Sequence, residues 1–233
     1  MSTKDEHVST GHRVASVAVT VLMVVSGGSV LAACASASFD DPSGSSSTGL
    51  STLQDQAPEG YTAKASGVTT VTAELIARAT PATEGMEIWP AQCAQSFQSS
   101  AAYQEGSTVE TVTFTGQGQV IVIGLQSRKE PHPANDADSV CDIGSFRAAG
   151  GEGLFRVPEP LDLNGVPAKG KQVIALSPDG SQQSVTVSYT ANLSDLEVLT
   201  LSVIPDLSSN APRLVVDSDT GIDLYKRAAE LVQ

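Results

Sequence analysis

Few residues of this chain have types and spacing suited to chemistry. Beyond residue 33 the one histidine is His132, held between Pro131 and Pro133. A Ser–His–acid hydrolase needs its histidine on a supported element beside a nucleophile. No Gly-x-Ser-x-Gly elbow is present to meet it, so His132 reads as a solvated loop residue. Asp217-x-Asp219-x-Gly221 has the opening of a calcium loop, but Ala228 stands where the twelfth-position carboxylate belongs and Ile222 where the glycine belongs. These aspartates read instead as acids at the positive end of a helix. Asp136, Asp138 and Asp142 form a second acidic group, in which Asp138 and Asp142 share a helical face and suit a solvated helix start. Gly116-Gln117-Gly118 leads into a strand rather than a helix N-terminus, which makes it a turn and not a phosphate loop. No metal, cofactor or catalytic set is expected. Paired carboxylates flanking a cleft are the one enzymatic arrangement that residue order leaves open.

The three cysteines divide into one and two. Cys34 follows Leu31-Ala32-Ala33, and a weakly basic start (Lys4, Arg13) and an apolar run from Val14 precede it. A basic start, an apolar middle and small residues at the cut describe a secretory leader over residues 1–33. Leu-Ala-Ala-Cys resembles a bacterial lipobox, which implies lipidation of Cys34 and anchorage on the outer face of the cytoplasmic membrane. Two or three acyl chains would hold firmly where one holds marginally. The alternatives are an uncleaved membrane anchor, since Val14 to Ala33 approaches spanning length, and a cleaved leader with an unmodified thiol. Cys93 and Cys141 are then left as an even pair in an exported chain, most simply one disulfide.

The net charge is −13, and loss of residues 1–33 leaves it unchanged because Lys4 and Arg13 offset Asp5 and Glu6. Nucleic acid and anionic headgroups both demand positive charge, so neither is an expected partner. Residues 34–58 are rich in Ser, Gly, Thr, Asp and Pro and read as a flexible tether with a reach of about 25 Å. Residues 59–233 have the length of a single extracytoplasmic domain.

Within that domain, Tyr61 to Ala65 suits a first strand and Glu74 to Ala79 a short helix. Pro90 suits the first turn of a helix carrying Cys93. Thr108 to Thr115 and Gln119 to Gln126 predict a hairpin about Gly116-Gln117-Gly118. The run Val120-Ile121-Val122-Ile123 is apolar on both faces, as a covered central strand would be. Pro133 to Ala149 reads as a helix carrying Cys141 and Phe146. Strands follow at Val173 to Leu176, Ser184 to Tyr189 and Leu196 to Ile204. The middle one alternates Val185, Val187, Tyr189 against Ser184, Thr186, Ser188, a pattern of one buried and one wet face. Pro178-Asp179-Gly180 supplies a turn. Thr220 and Asp223 suit a capping box for a last helix, with Ile222, Tyr225, Ala229 and Val232 on one stripe. The expected fold is α+β: an antiparallel sheet of about five to six strands, helices packed on one face, and one disulfide joining two helices. Tyr61, Tyr103, Phe114 and Phe155 are core candidates. Trp89, the single tryptophan, is either a half-buried core plug or the lining of an apolar groove.

The lipobox, the Ser/Gly tether, Gly60-Tyr61 and Pro90-Ala91-Gln92-Cys93-Ala94 together resemble the small lipoproteins of unknown function found in mycobacteria and related actinobacteria. More distantly the domain is similar to the extracellular sensor domain of PknH-type kinases. The resemblance implies a ligand- or partner-binding fold with no catalytic residues to carry over. The expectation is therefore a non-enzymatic surface module for a small apolar ligand or an envelope protein. An envelope hydrolase with paired carboxylates and a carrier of apolar lipid are the alternatives.

Overall fold

The computed structural model describes residues 49–79, 85–94, 103–131, 141–148, 151–206 and 213–233. The leader, Cys34, His132, Asp136 and Asp138 lie outside the described residues. Among the described residues no helix is long and apolar enough to cross a membrane.

One sheet organises the chain. Its strands are β1 (Tyr61–Thr70), β2 (Glu87–Trp89), β3 (Thr108–Gly116), β4 (Gln119–Ser127), β5 (Ile143–Ala148), β6 (Gly151–Arg156), β7 (Leu161–Leu163), β8 (Val166–Leu176), β9 (Gln183–Asn192), β10 (Glu197–Pro205) and β11 (Arg213–Leu214). The order across the sheet is β1-β3-β4-β10-β9-β8-β6-β5-β2, with β7 beside β8 and β11 beside β9. Every ladder is antiparallel except the two-residue pairing of β11 with β9. Among the described residues the helices with both ends described are α1 (Ala73–Ala79) and α2 (Ser218–Val232), with short 3-10 turns at Leu50–Gln56 and Ala91–Cys93. Among the described residues the sheet thus has eleven strands in place of the expected five to six.

The turns follow from local chemistry. Gln117 and Gly118 both take positive φ between β3 and β4, and Asn164 and Gly165 do so between β7 and β8. Two central residues with φ above zero make the tight hairpin turn whose twist matches the strands. The Thr72 hydroxyl accepts the Leu75 N–H at 3.2 Å and so caps α1. At α2 the cap is Asp217 rather than Thr220. Its Oδ1 accepts the Asp219 N–H at 3.0 Å and its Oδ2 the Thr220 hydroxyl at 3.1 Å. A carboxylate already seated beside the free N–H groups displaces the box expected one turn later.

Alternation along the strands sorts the core into two faces. On the front, Leu224, Tyr225, Ala228 and Ala229 of α2 pack with Leu50 and Leu53 on Phe114, Ile121, Ile123, Leu199, Leu201, Val187 and Tyr189. Gly221 lets α2 approach closely, since an added Cβ would lie 2.5 Å from the Val203 Cγ2. On the back, Leu75 and Ile76 of α1 meet Val71, Val109 and Val122, with Tyr103 beside them. Helices therefore pack on both faces, not one. Ser188, Thr200 and Ser202 on the back are buried too, while Ser184, Thr186 and Thr190 of β9 are half-buried.

Two further expectations are corrected. The tether drawn to residue 58 ends earlier, because Leu50 and Leu53 are fully buried in the front core. A pair of leucines three apart is enough to fold the end of a polar stretch once a groove beside α2 can bury them. The helix expected over Pro133 to Ala149 gives way to β5 over its last third; residues 132–140 lie outside the described residues. Phe146 stands opposite Gly153, and Gly144 opposite Phe155, and a Cβ on either glycine would run into the partner's ring. Cross-strand packing of ring over glycine overrides the helical bias of the local sequence.

Candidate functional site

The back of β5 and β6 carries a second small core of Cys93, Cys141, Phe146, Phe155 and Val173, with Met86, Ile88, Ala148 and Ala175 against it. Cys93 and Cys141 are bonded, with Cα atoms 5.5 Å apart and 48 residues between them in sequence. The bridge joins the 3-10 turn after Pro90 to the residue just ahead of β5. Whether each cysteine also belongs to a helix turns on residues 95–102 and 132–140, which lie outside the described residues. The edge strand β2, only four residues before Cys93, is pinned to β5 from beneath.

Pinning β2 in this way sets the front of the same four strands. The register places Trp89, Ser145, Leu154 and Ile174 in one cross-strand row. Glu87, Arg147, Glu152 and Leu176 form the next. Helix α2 covers the front over β4, β9 and β10 but not here. The result is an open groove of about 540 Å³ lined by these rows, Ile174 excepted. Trp89 is 74% exposed, Leu154 52% and Leu176 37%, and Ile143 is exposed at the next position along β5. Exposed apolar side chains interspersed with charged ones are a common mark of an interaction surface.

The rim is charged but weakly held. The Arg147 Nε and Nη2 each donate to the Glu152 Oε2 at 3.2 Å, with both side chains more than half exposed. Such a pair contributes about 0–1 kcal/mol. Glu87 flanks Arg147 on the other side in the same row. Both carboxylates are exposed, and a guanidinium stands between them.

The remaining sequence candidates are scattered. Phe114 and Phe155 are buried in separate cores and Tyr61 is at the margin of the front one. Asp142 is exposed, and its carbonyl accepts the Val157 N–H at 2.7 Å. Asp217 and Asp219 serve the α2 cap, with Gly221 buried against β10. Of the groove residues only Trp89 stood out in the sequence. Leu154 and Glu152 had a signal in the alternation Glu152-Leu154-Arg156 against Gly153-Phe155; Arg147 had none.

Comparison with known proteins agrees with this picture at the level of fold and family. The crystal structure of an uncharacterised protein of Mycobacterium smegmatis, the Rv0999 ortholog, matches with a TM-score of 0.66 and 18% identity over 79% of this chain and 95% of its own. The extracellular domain of PknH from Mycobacterium tuberculosis matches with a TM-score of 0.38 and 5% identity over 81% of this chain and 91% of its own. No curated protein sequence matches the chain. The family model described as a domain of unknown function (DUF5642) matches residues 46–233, and the chain belongs to that family.

Proposed function

We propose that the domain is a non-catalytic binding module, tethered through lipidated Cys34 to the outer face of the cytoplasmic membrane, that receives a small apolar molecule in the Trp89 groove. The observation that carries this reading is the uncovered apolar front of β2, β5, β6 and β8, where an indole 74% exposed sits over a groove of about 540 Å³. Ligand sites are commonly apolar concavities of roughly 300–1,000 Å³ with a few polar groups to orient the occupant. A disulfide beneath the groove is in keeping with an exported domain. The groove is open along its length, which suits reversible docking better than carriage of an enclosed lipid chain.

Trp89 is the only tryptophan, so its fluorescence reports the site directly. Titration with an apolar dye such as anilinonaphthalene sulfonate should give saturable quenching and energy transfer. If binding covers about 100 Å² of the indole, Trp89→Ala should cost about 2.5 kcal/mol, or roughly sixty-fold in Kd. Unchanged affinity in that variant would overturn the reading. So would turnover of an ester, peptide or glycan that one substitution at Glu87 or Glu152 abolishes, which would favour the paired-carboxylate hydrolase.

A further inference from the structure

Arg128 lies far across the sheet from the groove, at the corner where β4 ends and β3 and β10 begin. Thr108, Ser127 and Glu197 share a cross-strand row there, and the Arg128 N–H donates to the Leu196 carbonyl at 2.7 Å. The backbone is therefore fixed by the sheet. The side chain is only 6% exposed. Its Nε and Nη1 are out of solvent, and neither finds an acceptor among the described residues.

This arrangement needs an explanation. Burial lowers the Arg128 pKa from the ordinary arginine value, but a guanidinium does not shed its proton at neutral pH. A buried charge without a partner is among the most destabilising arrangements a fold can hold. The chain is strongly acidic, yet the nearby Glu130 and Glu197 do not pair with it.

The surroundings are polar. Gln126, on the same side of β4 by alternation, donates its Nε2 to the Ser107 Oγ at 3.3 Å, and that hydroxyl donates to the Gln104 carbonyl at 2.7 Å. Gln126 and Ser107 are buried as well. The Lys129 ammonium lies against Gly106, one residue from Ser107. The Gln126 amide, the Ser107 hydroxyl and the Lys129 ammonium thus lie at the corner of the sheet whose backbone carries Arg128.

We propose that this corner is a binding site for an oxyanion, a carboxylate or phosphate group, received by the Arg128 guanidinium. The group is either a free small anion or the head of a larger amphiphile. The test is thermal unfolding of the purified protein in rising concentrations of inorganic phosphate, acetate and octanoate, each against sodium chloride at matched ionic strength. A saturable rise in Tm beyond the chloride control is expected. Saturation by octanoate well below acetate assigns the head of an amphiphile, and equal saturation assigns a free anion. Arg128→Met should raise the Tm without anion, because it removes an unpaired buried charge, and should abolish the response. Arg128→Lys should keep a response at about tenfold higher anion concentration, since it retains the charge but not the planar fork. A wild-type response no larger than chloride, or an Arg128→Met variant that responds like wild type, overturns the proposal.

Discussion

Replacing both bridged cysteines by serine tests how far the groove depends on the bond beneath it. The bridge spans 48 residues of sequence, and the chain-entropy relation for a loop of that size gives about 4 kcal/mol of stabilisation. For a domain of this length each kcal/mol corresponds to roughly 2–4 °C, so the Cys93→Ser/Cys141→Ser variant should melt about 8–16 °C lower. The loss should also be uneven. β2 is a three-residue edge strand whose other partner is β5 alone, whereas the front core around α2 makes no contact with the bridge cluster. Circular dichroism would give the global shift, and amide hydrogen exchange its distribution. Amides of β2 and β5 should exchange faster while those of β4 and β10 change only with global stability. A Tm shift below about 3 °C, or uniform exchange across the sheet, would refute the argument that this bond positions Trp89.

Two further predictions concern the rest of the fold. Gln119 is buried and joins three elements: its Nε2 donates to the Tyr61 Oη at 2.6 Å and the Asp217 carbonyl at 3.1 Å, and its Oε1 accepts the Asp217 N–H at 2.7 Å. Gln119→Leu strands these partners and should cost about 3 kcal/mol in urea unfolding; a loss under about 1 kcal/mol would contradict it. In the turn between β8 and β9, hydrogen bonds from the Ser177 hydroxyl, then the Ser181 hydroxyl and N–H, hold the Asp179 carboxyl down at about 2. Since the folded value lies below the unfolded one, the turn's contribution is present above about pH 4 and fades as pH falls through about 2. A carbon-detected NMR titration placing the Asp179 midpoint near that of an ordinary aspartate would show the hydroxyls are not bound to it.

What could be read in advance was whatever depends on neighbours in sequence. The β3–β4 hairpin and the stripe on α2 are local periodicities, the one closed by the Gln117-Gly118 turn and the other opened by the Asp217 cap. The Asn164-Gly165 turn is equally local. β5 and β6 were different in kind. Gly144, Gly153 and the short apolar runs beside them have weak strand character alone, and only the register that lays each Phe over the partner's Gly makes them strands. The groove inherits that difficulty, because its two rows draw on four strands between residues 87 and 176. Trp89 was visible as a rare residue, but its exposure depends on where α2 stops covering the sheet. The burial of Arg128 had no sequence signal at all.

The strand order also sets a timetable. β10 lies between β4 and β9 in the middle of the sheet, so Gln119–Ser127 cannot be paired on both edges until Glu197–Pro205 has arrived. Pairings of such long sequence separation form slowly, on the millisecond-to-second scale typical of non-local sheets. The β3–β4 hairpin, with its run of Val and Ile, must wait with one apolar edge open. For a chain that is threaded through a membrane, as the leader reading requires, late closure keeps the polypeptide unfolded during passage. It also makes the exposed β4 edge the place where premature association with another chain would begin.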